Sequence, residues 1–449
     1  MLYDQLDARA QQNRISFAMP GHKGGRWIPA RLHRLLEIDG TELPGTDNMH
    51  HPEGILQESL TFIAQAYGAA HSYFSVNGSS AGILSALHFA ASRAPEILLD
   101  RNCHASAMNA LCLTGLCPVY LQPQPVPEFG ITGAILPADV AAALDAHPAA
   151  GFVFLTSPNY FGLCSDIRAI ADLVHAAGKL LIVDEAHGAH FGFSPLLPPS
   201  AVQQGADIVI QSAHKTLPAA GQTALIHLSS RVDPAEFSRW YSLFQTTSPS
   251  YPLMALTDYA VHTLTEHGKE IYQALYAQIN RLQIPFPRLT GSTSEQDFTR
   301  LVYHTAAFGI HGTLAAAYLD RRGIDVEMAD CNNVVCIATG GNTDEDFAAL
   351  ETALSACPRE DAAPLFLPPP PTRQAMSPRE AFLAPAHYLP LRDTAGKISA
   401  AVVTGFPPCV PILAPGEEIT PEHIHYLLEL QRLGGNVTGL EHGKCRVVR

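Results

Sequence analysis

Strands made almost wholly of apolar residues alternate with helical segments through the middle of this chain. Three such strands read "GFVFL", "LLIV" and "DIVI", and segments with apolar residues at helical spacing separate them. A strand that is apolar on both sides must be buried on both faces, as in a parallel sheet covered by helices. The alternation therefore predicts an α/β fold whose large domain has a mostly parallel central sheet.

Polar residues follow five of the predicted strands at the points where the strands end. In sheets of this class, ligands bind outside the carboxyl ends of the strands. Because these ends meet at one edge of the sheet, we expect the five segments to form one site. The segments are residues 77–80, His104, residues 157–159, residues 184–187 and residues 212–215.

The pattern changes on either side of this region. Dense Gly and Pro at residues 1–50 predict an N-terminal arm. Residues 51–295 carry the alternating strands and helices of the large domain. Residues 296–449 indicate a smaller C-terminal α+β domain, with a stiff proline-rich link near 364–373.

Composition excludes several classes of partner. The net charge of −14 argues against a nucleic-acid partner. The nine cysteines are odd in number and form no CxxC pair, which predicts reduced thiols and no structural zinc. The N-terminal segment lacks a signal-peptide core, and no apolar run reaches the roughly 18 residues of a membrane span. We therefore expect a cytoplasmic protein with no membrane partner.

Lys215 stands at the end of "ADIVIQSAHK", which we expect to be one more strand. Most lysines lie on the surface, but a lysine at a buried strand end loses solvation. Its pKa then falls, which favours the neutral amine that can attack an aldehyde. We interpret Lys215, with Ser212 and His214 before it, as a covalent attachment point for a cofactor.

Asp184 ends the strand in "VDEAHGAH". A buried carboxylate needs a cationic or hydrogen-bonding partner. A metal held with Glu185, His187 and His190 is one alternative, but strand neighbours face opposite sides and no HExxH helix is present. A structural carboxylate–amide contact is another. The interpretation we favour pairs Asp184 with the protonated nitrogen of a pyridoxal ring, with no metal.

The turn "NGSS" leads into a helix. Backbone N–H groups at a helix start, together with the hydroxyls of Ser79 and Ser80, suit a phosphate. A serine N-cap explains the same residues about as well. His104 follows another strand, where its ring could stack on a flat cofactor or cap the next helix.

Seven motifs occur in order across residues 17–258. They are "MPGHKGG", "TELPGTDNMHHPEG", "FSVNGSSAG", "RNCHASAMNAL", "VDEAHGAHF", "SAHKTLPAAGQTA" and "TTSPSYPLMAL", with a weaker match through "GFPPCVPILAPGEEIT". The motifs resemble the Orn/Lys/Arg decarboxylase family of pyridoxal-phosphate enzymes, in the short form without the extra N-terminal domain. The resemblance implies fold type I, aspartate-aminotransferase-like, and decarboxylation of a basic amino acid: lysine, ornithine or arginine.

The resemblance also implies a role for each site residue. Lys215 would form the internal aldimine with pyridoxal 5'-phosphate, and Asp184 would keep the pyridine nitrogen protonated. His104 and Ala186 would lie on the two faces of the ring. His214 would lie beside the substrate, where it or Lys215 would return a proton to the product. Further cofactor-binding residues would be Ser79, Ser80, His187 and Ser212.

A shared site is implied as well. Thr246, Thr247 and Ser248 would come from the neighbouring subunit, so the family resemblance implies a homodimer or a higher homo-oligomer. The small-molecule partner would be the amino-acid substrate.

Several positions depart from the family pattern. Ala401 stands where Glu or Asn is usual, and Gly405 with Phe406 replaces Pro-Tyr. Cys409 replaces a glycine, Val261 a common arginine and Ile83 a usual asparagine. These changes fall partly on the expected substrate wall, so the amino acid that the site accepts stays open.

Other reactions stay open too. Transamination or elimination uses the same apparatus, and a non-catalytic relative would bind the cofactor alone. An aminotransferase usually holds the α-carboxylate with an arginine near the C-terminal domain, for which Arg373, Arg379 and Arg392 are candidates. For Glu417 and Glu418 we expect a solvated turn.

Overall fold

The computed structural model describes most of the chain. The described residues are 15–17, 29, 47–291, 295–359, 370–406, 410–432 and 435–449. Most of the predicted arm at residues 1–50, most of the proline-rich link near 364–373 and Cys409 therefore lie outside the described residues.

The elements are numbered in chain order. The strands are β1 Ile15–Phe17, β2 His71–Ser75, β3 Glu96–Asp100, β4 Cys117–Leu121, β5 Pro125–Val126, β6 Ile131–Thr132, β7 Ala150–Thr156, β8 Leu180–Asp184, β9 Ile208–Gln211, β10 Ala224–Leu228, β11 Arg300–His304, β12 Ile324–Val326, β13 Met328–Ala329, β14 Asn333–Ile337, β15 Ala386–Pro390, β16 Val403–Phe406, β17 Val410–Leu413, β18 Asn436–Thr438, β19 Leu440–Glu441 and β20 Lys444–Val448. The helices are α1 Ile55–Tyr67, α2 Gly78–Ala91, α3 Ala105–Thr114, α4 Pro137–Ala146, α5 Ile167–Ala176, α6 Ala213–Thr216, α7 Pro234–Phe244, α8 Tyr251–Arg281, α9 Gly312–Asp320, α10 Asp344–Ser355, α11 Pro378–Leu383 and α12 Pro421–Arg432. Short 3-10 helices lie at Ala306–Phe308 and Leu391–Asp393.

A seven-stranded sheet forms the centre of the large domain. Its strand order is β2-β10-β9-β8-β7-β3-β4. Strand β10 runs antiparallel to both of its neighbours, and the remaining adjacent strands run parallel. The prediction of a mostly parallel central sheet is confirmed.

Consecutive residues of the inner strands enter two separate apolar cores, one on each face of this sheet. In β8, Leu181 and Val183 pack in one core and Ile182 packs in the other. Because side chains alternate along a strand, each position needs an apolar residue, and the strand reads as an unbroken apolar run. Helices α4 and α5 contribute to the smaller core, and α2 and α3 to the larger.

The rest of the chain forms smaller sheets with helices beside them. Strands β11, β14 and β13 make one antiparallel sheet, and two more three-stranded sheets follow, β15-β20-β19 and β17-β16-β18. A separate apolar core fills the last part of the chain; it includes Leu391, Val403, Leu413, Leu427 and Val447. The smaller C-terminal α+β domain is thus confirmed, whereas its boundary at residues 295/296 stays a prediction.

One predicted strand is shorter than expected. The segment "ADIVIQSAHK" leaves the sheet after Gln211, and α6 makes a single helical turn there. The backbone N–H of Lys215 donates to the Ser212 carbonyl in this turn (3.3 Å). The turn sets Lys215 beyond the edge of the sheet. Among the described helices, none has the length and apolar character needed to cross a bilayer.

Candidate active site

Strands β8 and β9 bring two of the predicted site segments together. They run parallel, and Asp184 is in register with Ile210, so both strands end at the same edge of the sheet. Asp184 and Ser212 are both buried there. Lys215 lies one turn beyond Ser212.

The amine of Lys215 lies inside this edge rather than in open solvent. Its Nζ is 3.0 Å from Nε2 of His187. Desolvation lowers the pKa of Lys215, and the positive charge of Arg300 adds to that effect, while the carboxylates of Asp184 and Glu327 oppose it. The net shift is toward the neutral amine, which is the nucleophilic form.

Asp184 is a buried carboxylate with few partners. Within the described residues, one hydrogen bond reaches its side chain, from the Ala186 N–H to Oδ1 (3.1 Å). Burial raises the pKa of Asp184, and the nearby Lys215 and His104 counteract the rise. A carboxylate so placed has room for a further N–H donor, and a protonated pyridine nitrogen fits that requirement.

His104 is the N-cap residue of α3. Its Nδ1 accepts a hydrogen bond from the Ser106 N–H (3.2 Å) and lies 2.8 Å from Ser106 Oγ. His104 therefore caps the helix, as one of the two interpretations of this residue predicted. The imidazole nevertheless stays exposed beside Asp184 and Lys215, so the same geometry leaves the ring free to stack on a flat ligand.

Ser79 and Ser80 lie in the first turn of α2, where backbone N–H groups are unpaired within the helix. The Ser212 hydroxyl donates to the Ser79 hydroxyl (2.7 Å), which joins this helix start to the end of β9. The serine-cap alternative is wrong, since the N-cap residue is Asn77 and its side chain makes no capping bond. Hydroxyls and free N–H groups at a helix start fit a phosphate.

The remaining predicted cofactor residues lie around Lys215. Ala186 and His187 are buried directly after β8. His214 is half-buried, with Nδ1 3.0 Å from the Thr223 carbonyl oxygen, and desolvation lowers its pKa. Of these residues, His187 contacts the Lys215 amine directly, and His214 precedes Lys215 in α6.

Three residues of this site were not predicted. Arg300 is 1% exposed and its Nη2 lies 3.1 Å from Nδ1 of His187. The Tyr160 hydroxyl donates to Oε1 of Glu327 (2.5 Å), and the Tyr160 ring meets the His187 ring edge-on at 4.7 Å. For Arg300, the sequence offered one signal: a charged residue at the start of an apolar strand, "RLVYH", where burial is expected.

The residues that a metal would need have other partners. Glu185 accepts from the Ala201 N–H (2.7 Å) and from the Gln211 amide (2.7 Å). His190 lies 3.2 Å from Asp297. In the part of the chain that the structure describes, no group of three or more His, Cys, Asp or Glu residues is placed to hold a metal ion.

The expectation of a solvated turn is wrong for Glu417. Its carboxylate is fully buried and forms a bidentate ion pair with Arg101, with distances of 2.8 and 2.9 Å. Oε2 also accepts the Ala414 N–H (2.7 Å), and Arg101 donates to the Ile412 carbonyl (3.1 Å). The pair joins the end of β3, just before His104, to the C-terminal domain.

The three candidate carboxylate-binding arginines make other contacts or face solvent. Arg373 pairs with Glu418 at 3.3 Å, and Arg379 donates to the Leu113 carbonyl. Arg392 is exposed. These placements give no support to the aminotransferase alternative.

The positions that depart from the family pattern lie in packed surroundings. Ile83 and Val261 are buried in the large apolar core. A side chain added at Gly405 would meet Leu430 and Ile412.

The residues expected to reach a neighbouring subunit lie at the surface. Thr247 and Ser248 are exposed on the surface of the single chain, and Thr246 is half-buried.

Comparison with known proteins identifies the family. The sequence model described as Orn/Lys/Arg decarboxylase, major domain, matches residues 1–302, and that of the C-terminal domain matches residues 364–444. An arginine decarboxylase of Halalkalibacterium halodurans is 33% identical over 100% of this chain and 96% of that protein. An arginine decarboxylase of Bacillus subtilis is 30% identical over 100% of this chain and 97% of that protein.

Among solved structures, the constitutive lysine decarboxylase of E. coli superposes with a TM-score of 0.78 at 20% identity, covering 93% of this chain and 76% of that one. This likeness supports the fold. The match to the family over most of the chain, with relatives along its whole length, shows that the chain belongs to the Orn/Lys/Arg decarboxylase family of pyridoxal-phosphate-dependent amino-acid decarboxylases.

Proposed function

We propose that this protein removes the α-carboxyl group of a basic amino acid as carbon dioxide and releases the corresponding amine. The observation that carries the proposal is the convergence of three groups at one edge of the sheet. They are the amine of the half-buried Lys215, the sparsely bonded carboxylate of Asp184, and the hydroxyls at the start of α2.

Each of these groups suits one part of pyridoxal phosphate. Lys215 would hold the aldehyde carbon, and Asp184 would hold a proton at the ring nitrogen. Ser79, Ser80 and Ser212 would hold the phosphate, and His104 would lie against the ring. When bound, the cofactor supplies an electron-withdrawing ring that accepts the electrons released as carbon dioxide leaves.

Asp184 must stay ionised for this chemistry, and parts of its environment raise its pKa while others lower it. Burial alone favours the neutral carboxyl, whereas Lys215 and His104 favour the carboxylate when they carry a proton. A cationic ring nitrogen beside it would add a further charge of the favourable sign. We infer that Asp184 and the cofactor stabilise each other's ionised forms.

The product needs a proton at its α-carbon. His214 and Lys215 lie beside each other in α6, and desolvation lowers the pKa of both side chains. Groups whose pKa values lie closer to the working pH exchange protons more readily. The lowered pKa brings Lys215 closer to neutral pH but moves His214 away from it, so Lys215 is the better placed proton donor and His214 is the second candidate; the two single variants would tell them apart.

Glu327 supports a cationic substrate. It is half-buried, receives a hydrogen bond from Tyr160 and acts electrostatically on Lys215 and His214. A carboxylate in this position would attract a guanidinium or ammonium group. The full-length relatives named arginine decarboxylase make arginine the first substrate to test, ahead of lysine and ornithine.

The assembly we propose is a homodimer or higher homo-oligomer in the cytoplasm. Thr247 and Ser248 are exposed in the single chain, and Nε2 of His50 lies 2.8 Å from the Thr246 carbonyl oxygen. The segment is thus held by a hydrogen bond at Thr246, whereas Thr247 and Ser248 face solvent. We infer that this exposed part completes the site of a neighbouring subunit.

The experiment uses the purified, cofactor-loaded protein with arginine, lysine and ornithine in separate incubations. Carbon dioxide and the product amine are measured by mass spectrometry, with Lys215→Ala as the matched control. We expect one of the three amines from the wild-type protein and none from the variant. Absence of all three amines, in a protein that shows the absorbance of bound cofactor, would refute the proposal.

A further inference from the structure

We propose that Arg300 is a positioning residue that fixes the tautomer of His187, so that the imidazole presents its Nε2–H to Lys215. The proposal rests on the proposed function, in which Lys215 holds the cofactor. Arg300 lies outside the predicted site, and its proposed role is to orient the His187 imidazole.

The hydrogen-bond chemistry of the three side chains leads to this assignment. Nη2 of Arg300 lies 3.1 Å from Nδ1 of His187, and a guanidinium group donates hydrogen bonds and never accepts them. Nδ1 must therefore accept. A neutral imidazole carries its one proton on the other nitrogen, Nε2, which lies 3.0 Å from Nζ of Lys215.

The protonation state of Lys215 follows from this tautomer. An Nε2–H group can donate to the lone pair of a neutral amine, but it would face the N–H bonds of an ammonium group. The chain Arg300 to His187 to Lys215 therefore favours a neutral Lys215, ready to attack an aldehyde. With the cofactor held by Lys215, His187 would still offer this N–H donor beside the lysine nitrogen.

The electrostatics around His187 favour a neutral imidazole, whereas the charges around Lys215 act in opposite directions. Burial lowers the pKa of His187 far below its usual range, with Lys215 and Arg300 adding to the effect, so the imidazole is neutral. The other titratable groups that act on these two residues are Asp184, Glu327, His104 and His214. The two carboxylates favour a charged Lys215, and Arg300 opposes them.

Arg300 is held in place by its surroundings. Its stem passes Gly162, where an added Cβ would lie 2.7 Å from Cβ of Arg300 and where φ is +84°. Only glycine fits this conformation without strain. Nε and Nη1 of Arg300 have no hydrogen-bond partner among the described residues, so the contact with His187 is the one side-chain bond that the structure gives this guanidinium.

The alternative role is purely structural, with the buried Arg300 side chain anchoring the start of β11. Both roles predict a loss of stability when the residue is replaced. Only the positioning role predicts a change in the tautomer of His187, and the loss of the Arg300 charge near Lys215 predicts a change in the pH at which that amine becomes reactive. These two readouts do not require activity of the loaded enzyme.

The first experiment measures the reactivity of Lys215 against pH in the cofactor-free, full-length protein. Trace labelling with acetic anhydride is quantified by mass spectrometry on the peptide that contains Lys215, with exposed Lys269 as internal reference. We expect Arg300→Met to raise the midpoint by about one pH unit or more, because a buried positive charge is lost. Arg300→Lys keeps the charge and a donor and should shift it less.

The matched control is Arg288→Met. The backbone of Arg288 forms a β-bridge with Tyr303 of β11, the strand that begins with Arg300, and Arg288 has no contact with His187 among the described residues. We expect it to leave the Lys215 midpoint unchanged. An unchanged midpoint in folded Arg300→Met, or an equal shift in Arg288→Met, would overturn the proposal.

The second experiment reads the tautomer directly and needs no variant of Arg300. Nitrogen-15 NMR of the histidine-labelled wild-type protein, with His187→Gln to assign the signal, distinguishes a protonated Nε2 from a protonated Nδ1. We expect the Nε2–H form. An Nδ1–H form in the wild type would overturn the proposal even if Arg300→Met fails to fold.

The two levels of inference fail separately. If the tautomer and the midpoint behave as expected but no amine is produced, the proposed decarboxylation is wrong and the positioning of Lys215 stands. If amine is produced but the tautomer is Nδ1–H, the role of Arg300 is wrong and the proposed function stands.

Discussion

Glu417→Gln should destabilise the protein strongly, although Glu417 lies in a sequence, "PGEE", that reads as a surface turn. The substitution removes the negative charge opposite Arg101, whose side chain is 7% exposed. It also replaces one of the two oxygens that accept from Arg101 with an amide nitrogen. Leaving one member of a buried ion pair without its partner costs about 3–5 kcal/mol.

The assay is urea unfolding of the cofactor-loaded protein, followed by far-UV circular dichroism. Glu418→Gln is the matched control, since the adjacent carboxylate pairs with Arg373, which is 80% exposed. Exposed pairs contribute about 0–1 kcal/mol, so this variant should unfold close to the wild type. Equal midpoints for the two variants would refute the conclusion that Glu417 is buried against Arg101.

A double variant separates the charge from the packing. Arg101→Met with Glu417→Met replaces the buried pair by apolar side chains of similar length. Such replacements are often neutral or stabilising, whereas single removals are not. We expect the double variant to recover most of the stability lost in Glu417→Gln.

Three further predictions concern charges elsewhere. Asp184→Asn should lower kcat by about 100-fold or more while cofactor still binds, because an electrostatic partner of the reacting ring is lost; steady-state kinetics with an absorbance check of bound cofactor tests this. Glu327→Gln should raise KM for the basic substrate by about tenfold, since one attractive charge is removed, and an unchanged KM would contradict the role of Glu327. His227 is buried and its pKa is lowered to about 3, so its contribution to stability is fully present above pH 6.5 and is lost as the pH falls toward the folded value. The wild type should therefore lose about 3 kcal/mol more than His227→Gln between pH 6.5 and about pH 4, measured by urea unfolding, and parallel losses would contradict this.

The central sheet was predictable because the required information is local. Strands buried on both faces need an apolar residue at each position, and that pattern is visible in a few consecutive letters. The end of β9 was misplaced, since "SAHK" carries no strong helix signal and α6 is a single turn. The antiparallel direction of β10 depends on contacts with β2 and β9 that no local pattern encodes.

The missed residues share a different cause. Glu417 and Arg101 are separated by 316 positions, so nothing near either residue indicates that it is buried in a pair. Arg300 and Glu327 come from the far side of the predicted boundary at residues 295/296. They reach Lys215 only through the folding of the later strands against the large domain. The seven motifs, in contrast, carry their site residues within short segments that each follow a strand.

The measurement that tests the central claim most directly is to identify the lysine that holds the cofactor. The loaded protein is reduced with borohydride, which fixes the cofactor to its lysine, then digested and analysed by mass spectrometry. We expect the cofactor mass on the peptide that contains Lys215, and on no other peptide. Recovery of the modification on another lysine, or a loaded protein without a modified peptide, would contradict the assignment of the site.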